Sequence, residues 1–214
     1  VPPIVIYFVV ALGAYLLGSI PTGFLVARAK GIDIRKAGSG NIGATNSMRV
    51  LGKPAGIFVL LVDVLKGFAA VAWLPILILK IFSTTQIDLE TLRIVAGIFA
   101  VLGHNYPCWL KFKGGKGIAT TAGVFLALAP WALLVALVVF ILAVALTKYV
   151  SVGSIAAAIA LPATVWILSP HNLFLNIVAT VLGALAIFKH RKNMQRLMAG
   201  TENRLGKKKS GDAK

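Results

Sequence analysis

The polar residues of this chain gather in three short stretches, and the first is composed to hold an anion. Gly38, Gly40 and Gly43 alternate with Ser39, Asn41, Thr45 and Asn46, and Arg49 follows. Glycines let successive backbone N–H groups converge on one anion. The hydroxyl and amide side chains add donors, and an arginine presents a planar fork matched to phosphate oxygens. The same glycines fit a dinucleotide fingerprint, with Asp63 at the offset of its ribose-binding acid. That fingerprint needs a buried strand ahead of the glycines; none precedes them, and Asp63 falls within an apolar run. In the second stretch, Gly114, Gly115 and Gly117 surround Lys116 at the expected start of a helix, where dipole and N–H groups favour an anion. It is not a Walker loop, because Gly117 follows the lysine and Leu110 stands where the earlier glycine is required. Lys111 and Lys113 read as juxtamembrane charges facing lipid phosphate. Upstream, His104 has two readings, as a side chain supporting this loop from behind or as a packed, hydrogen-bonded histidine. In the third stretch, His190 and Asn193 are three apart and share a helix face.

The elements that must position these stretches are membrane helices. The chain of 214 residues is 58% hydrophobic with a mean hydropathy of +0.90, against about 45–50% apolar in ordinary soluble domains. Windows of about 20 apolar residues occur at 4–27, 55–79, 94–110, 117–129, 131–147, 150–168 and 173–188. The run 117–147 would be about 46 Å long as one helix, so Pro130 is expected to divide it. Seven spans place all but Lys66, Lys80 and Arg93 of the 22 basic residues on one face. The positive-inside rule makes that face cytoplasmic. The expectation is an all-α integral membrane protein of seven transmembrane helices, with polar cytoplasmic loops forming the site. It has one domain over 1–205 and a basic cytoplasmic tail over 206–214. The first window lacks a basic leader and is expected to stay in the mature protein.

Composition also excludes. A charge of +16, from 22 basic and 6 acidic residues, would suggest nucleic acid in a soluble chain, but the polar stretches are too short for such a module. Cys108 is the single cysteine, which rules out an internal disulfide framework or a Cys-rich metal site. Asp63 and Lys66, three apart in an apolar helix, are expected to pair toward the bundle, because isolated charges are costly there.

Four motifs then form a recognisable set. They are Gly18 through Gly23, Gly38 through Asn46, Gly103 and His104 with Lys113 through Gly117, and His190 through Asn193. In order and spacing, over about residues 10–205, the chain resembles the bacterial acyl-phosphate:glycerol-3-phosphate acyltransferase family, PlsY. The resemblance implies a seven-helix enzyme of the bacterial inner membrane with its site at the cytoplasmic face. It implies transfer of a fatty acyl group from acyl phosphate to the sn-1 hydroxyl of glycerol 3-phosphate, giving lysophosphatidic acid and phosphate for phospholipid biosynthesis. The implied catalytic set is Ser39, Arg49, Lys116, His190 and Asn193. The implied phosphate-binding set is Gly38, Gly40, Asn41, Gly43, Thr45, Asn46, Gly114, Gly115 and Gly117. Membrane lipids are the surroundings; no cofactor, metal, nucleic acid or obligatory protein partner is expected.

The residues agree by what they lack. The dyad His-x4-Asp of another acyltransferase type is missing, since Trp109, Asn176 and Gln195 stand five after the three histidines. Neither a nucleophile elbow nor a Cys/His cluster occurs, so covalent and metal catalysis are not expected. Positioning and charge stabilisation remain. The attacking hydroxyl needs a proton acceptor, either His190 or the phosphate of the acceptor substrate, whose second ionisation falls near pH ~6. In line with the resemblance, substrate assistance is expected, with His190 and Asn193 orienting that phosphate or its glycerol. The alternative is a transporter or flippase for a phosphorylated solute or lipid, which should place polar or broken-helix features near the bilayer midplane.

Overall fold

The computed structural model describes residues 1–83 and 87–206. The tail from 207 onward and the centre of the 83–90 loop lie outside the described residues. Every regular element among the described residues is helical, and these residues form two compact units, Val1–Pro130 and the part from Trp131 onward.

In the first unit, α1 (Pro3–Gly18) and α2 (Thr22–Ala29) arise from one apolar run. Pro21 brings no N–H and disfavours a helical Ile20, which breaks the run at 19–21. The Ile20 carbonyl released there accepts from Lys66 Nζ at 2.9 Å. The short α3 (Ala44–Leu51) precedes α4 (Lys53–Ala72), which resumes beyond Trp73 as α5 (Leu74–Ile81). The next helix, α6 (Leu89–Asn105), opens on Asp88, whose carboxylate accepts from the N–H groups of Glu90 and Thr91 as a helix cap. α7 (Ile118–Leu128) completes the unit.

These helices meet where a side chain is absent. Gly18 lies on the Ala100 carbonyl and Gly103 on that of Tyr15, joining α1 to α6. Gly67 lies on Thr120 and Gly123 on the Val64 carbonyl, joining α4 to α7, while Gly56 admits Met48 of α3. Lipid is as apolar as a leucine, so close backbone approach through small residues is what holds membrane helices together. Phe8, Leu61 and Leu77 are left exposed on the outer faces.

The second unit contains α8 (Pro130–Thr147), α9 (Val150–Leu168), α10 (Leu173–Lys189) and α11 (Arg191–Met198). Pro130 begins α8, at the point where it was expected to divide 117–147. Gly183 of α10 rests on the Ala158 carbonyl and Pro162 of α9. α10 and α11 meet at a 49° bend.

The expectation of seven transmembrane helices is corrected. Pro3–Ala29, Lys53–Ile81, Pro130–Thr147 and Val150–Leu168 are long and apolar enough to cross a membrane. The described residues thus hold four such helices, or five if α10 and α11 count as one bent span. Windows of apolar composition overran the helices that carry them. In 94–110, α6 ends at Asn105, and Pro107 leads into a 3-10 turn over Cys108–Leu110. The 17 residues of α6 and 11 of α7 rise only about 25 and 16 Å, against about 30 Å of hydrocarbon. The inference of sidedness from seven-span parity falls with the count.

The glycine contacts are testable by volume. Gly123→Leu drives a side chain into the Val64 carbonyl and should lower stability by about 1–3 kcal/mol. Leu126→Ala, at an exposed position of the same helix, should leave the thermal unfolding midpoint in detergent nearly unchanged.

Candidate active site

The first glycine stretch is a loop tied together by one buried amide. Asn46 is 2% exposed. Its Oδ1 accepts from Ser39 N at 2.8 Å, and its Nδ2 donates to the carbonyls of Asn41 at 2.8 Å and Ala37 at 3.0 Å. Asn41 Oδ1 accepts from Gly43 N at 2.8 Å. Gly38 and Gly40 take φ of 60° and 73°, the left-handed region that glycine enters without penalty. The N–H groups of Asn46 and Ser47 return to the Gly43 carbonyl, closing the first turn of α3 on the loop. Thr45 and Arg49 are four apart and exposed, so they share one face of α3. Ahead of the loop, two guanidinium hydrogen bonds of 2.9 Å from Arg35 hold the Asp33 carboxyl down at about 2.

The second stretch is folded onto the end of α6. Gly114 N donates to the Asn105 carbonyl at 3.2 Å and Gly115 N to that of His104 at 3.0 Å. A side chain on Gly115 would overlap the His104 ring, and one on Gly117 would press on Asn105. Lys116 is half-buried between the buried Gly115 and Gly117, and α7 begins immediately after. Leu110 shares a small buried core with Ala27 of α2 and with Ile34 and Ile42 of the first loop. Both glycine loops are therefore seated on one apolar cluster. Beneath them, Lys66 Nζ lies 2.8 Å from Asp63 Oδ1 with both side chains 3% exposed, the inward ion pair the sequence implied.

In the second unit, His190 joins α10 to α11. Its Nδ1 lies 2.8 Å from the Ala186 carbonyl. A carbonyl only accepts, so Nδ1 carries the proton, and in the neutral ring Nε2 holds the lone pair. Asn193 donates Nδ2 to Glu202 Oε1 at 2.7 Å. Glu202 also accepts from Arg196 Nε at 2.7 Å and Ser151 Oγ at 3.0 Å. Gly200, at φ 66°, makes this return. The Thr201 N–H bonds the Arg196 carbonyl and that of Gly200 bonds Leu197, a Schellman turn that folds the chain back. Burial pushes the Glu202 carboxyl up, but hydrogen bonds from Arg196, Asn193 and Ser151, with the charge of Arg196, outweigh it and hold it below its ordinary value.

Residues 8–200 match the family model described as glycerol-3-phosphate acyltransferase. The chain belongs to that family. It is an acyltransferase of membranes, and curated members are close to it along nearly their whole length. The glycerol-3-phosphate acyltransferase of Geotalea daltonii is 46% identical over 196 residues, 91% of this chain and 95% of the relative. That of Clostridioides difficile is 45% identical over 208 residues, 95% and 97%. Among solved structures, the chain is similar to PlsY, an integral membrane glycerol 3-phosphate acyltransferase, crystallised in its glycerol 3-phosphate form. The TM-score is 0.83 and the identity 40%, covering 94% of this chain and 96% of that one. The lysophosphatidic acid form of PlsY gives a TM-score of 0.80.

For the acyltransferase, the structure shows a packing role for two glycines of the second stretch that sequence reasoning did not assign. Gly114 and Gly115 spend their N–H groups on the end of α6 and are small because α6 lies against them. Glu202, twelve residues beyond His190, is not among the sequence candidates, although it bonds Asn193. The signal was Gly200, a helix-ending glycine that reverses the chain. Among the described residues, no three His, Cys, Asp or Glu side chains gather as metal ligands.

Asn46→Asp replaces the two-hydrogen donor with a carboxylate facing carbonyls. It should cost about 1–3 kcal/mol of stability and most of the turnover, read by thermal unfolding and acyl transfer. A second expectation concerns acid. Because the folded Glu202 carboxyl titrates below its unfolded value, its contribution is present above the unfolded pKa and is lost as pH falls through the folded one. The midpoint difference between wild type and Glu202→Gln should be constant near neutrality and close as the solution is acidified below about pH 4.

Proposed function

We propose that this acyltransferase works by holding two phosphorylated substrates together, forming no covalent intermediate of its own. It moves a fatty acyl group from acyl phosphate to glycerol 3-phosphate and so makes lysophosphatidic acid. The glycerol sn-1 oxygen attacks the acyl carbonyl carbon, the bond from that carbon to the phosphate oxygen breaks, and inorganic phosphate leaves with the bonding pair. Like-charged phosphates repel, so the reaction needs cations fixed in advance. Arg49 and Lys116 are those cations. The observation that carries this reading is the shared apolar core of Ala27, Ile34, Ile42 and Leu110, which seats both loops bearing them.

Ser39, Thr45 and the amides at the start of α3 donate to a phosphate. Gly38, Gly40, Asn41, Gly43 and Asn46 shape that loop, and Gly114, Gly115 and Gly117 shape the other. His190 and Asn193 orient glycerol 3-phosphate, whose own dianionic phosphate takes the hydroxyl proton.

The basic loops face the cytoplasm of a bacterium. Arg28, Lys30, Arg35, Lys36, Arg49 and Lys53 lie between the first two crossing helices or at their facing ends, six basic residues against the two, Lys80 and Arg93, that flank the segment after the second. That local asymmetry orients the chain by the positive-inside rule without a count of spans.

The test is purified protein with palmitoyl phosphate and labelled glycerol 3-phosphate, scored for lysophosphatidic acid. Arg49→Lys keeps the charge but loses the fork, and Lys116→Ala loses the charge. Each should fold and lose roughly hundredfold or more in rate. Near-normal turnover in either would remove that residue from the site.

A further inference from the structure

We infer that Asp63 is a positioning residue for the transfer: through His104, it sets the glycine loop that carries Lys116. This rests on the reading of Lys116 as a phosphate-neutralising cation.

A lone ion pair in α4 would need only Lys66. The Asp63 carboxylate instead gathers groups from two further helices. Thr22 Oγ1, in the first turn of α2, donates to Asp63 Oδ1 at 3.3 Å. His104 Nδ1, near the end of α6, lies 3.6 Å from the same oxygen. Lys66, besides pairing with Asp63 at 2.8 Å, caps the Ile20 carbonyl at the helix break. All of these groups except Ile20 are buried. A buried carboxylate is expensive among apolar helices, and its arrangement around an imidazole calls for more than charge balance.

His104 governs the second loop twice over. Its carbonyl accepts from Gly115 N at 3.0 Å, and its ring Nε2 occupies the place a Gly115 side chain would take. The loop backbone thus lies directly on the imidazole edge. With Nδ1 turned toward a carboxylate, the proton favours Nδ1 and the ring plane is fixed, as when a carboxylate orients a histidine that does work at its other nitrogen. Rotation of the ring would lift Gly115 and carry the adjoining Lys116 ammonium away from its place. The geometry also explains why Gly114 and Gly115 must both be glycine, since a side chain on either would overlap His104.

The test pairs hydrogen–deuterium exchange with kinetics on the full-length protein in detergent, using Asp63→Asn and His104→Gln. Each variant should speed exchange at 114–117 roughly tenfold while 38–46 stay within about twofold, and kcat/KM should fall roughly tenfold or more. Unchanged exchange at 114–117 in the folded variants overturns the inference, whatever the activity. Faster exchange everywhere, or failure of both variants to fold, overturns it too, because Asp63 would then serve general stability. Faster exchange confined to 114–117 with turnover retained supports the positioning and overturns instead the role given to Lys116.

Discussion

A helix that breaks inside an apolar bundle strands backbone carbonyls and amides where water does not reach them, and each must find a partner within the protein. This chain breaks its helices repeatedly and meets the demand with buried side chains. Lys66 takes the Ile20 carbonyl at the break in the first apolar run. Asn46 takes the carbonyls of Ala37 and Asn41 in the first glycine loop. In the second unit, Asn176 takes that of Ser169 between α9 and α10, and His190 takes that of Ala186 at the bend into α11. The polar residues are therefore spent first on making irregular backbone tolerable beside lipid. Chemistry is done with what remains.

That order of priority shapes the site. Glycine amides that look like an anion cradle in one dimension are bonded to the protein itself at Gly43, Gly114 and Gly115. What they provide is rigidity. Loops held by internal hydrogen bonds reorganise little when charge develops, and preorganised charge is worth far more than charge that must be gathered during the reaction. In the function proposed, Arg49 at the end of α3 and Lys116 ahead of α7 are cations on fixed mounts. Acyl phosphate carries its own leaving group, so a protein that overcomes repulsion and orders its substrates has little further chemistry to perform.

Legibility in the sequence followed the range of the interaction. The Asp63–Lys66 pair, the helix start at Pro130 and the concentration of polar residues in three stretches were readable because each depends on near neighbours or on composition. The number of crossing helices was not. Apolar residues continue through the 3-10 turn after Pro107, and composition does not reveal where α6 stops. The embrace of Asn193 by Glu202 depends on the turn at Gly200, and the role of His104 depends on α4 and the second loop folding against the end of α6. Those are facts of packing, and residue type alone left His104 between two readings. Resemblance supplied the reaction; only the packing shows which residues build the loops.

The central claim is direct transfer between two substrates held by fixed charges. It is tested most directly by rapid quenching of the purified protein with labelled acyl phosphate in the absence of glycerol 3-phosphate. Direct transfer predicts no protein-bound acyl group surviving denaturation and no burst of inorganic phosphate until glycerol 3-phosphate is added. A stoichiometric acyl-protein, formed with a matching burst of phosphate and discharged to glycerol 3-phosphate at the rate of turnover, would contradict it.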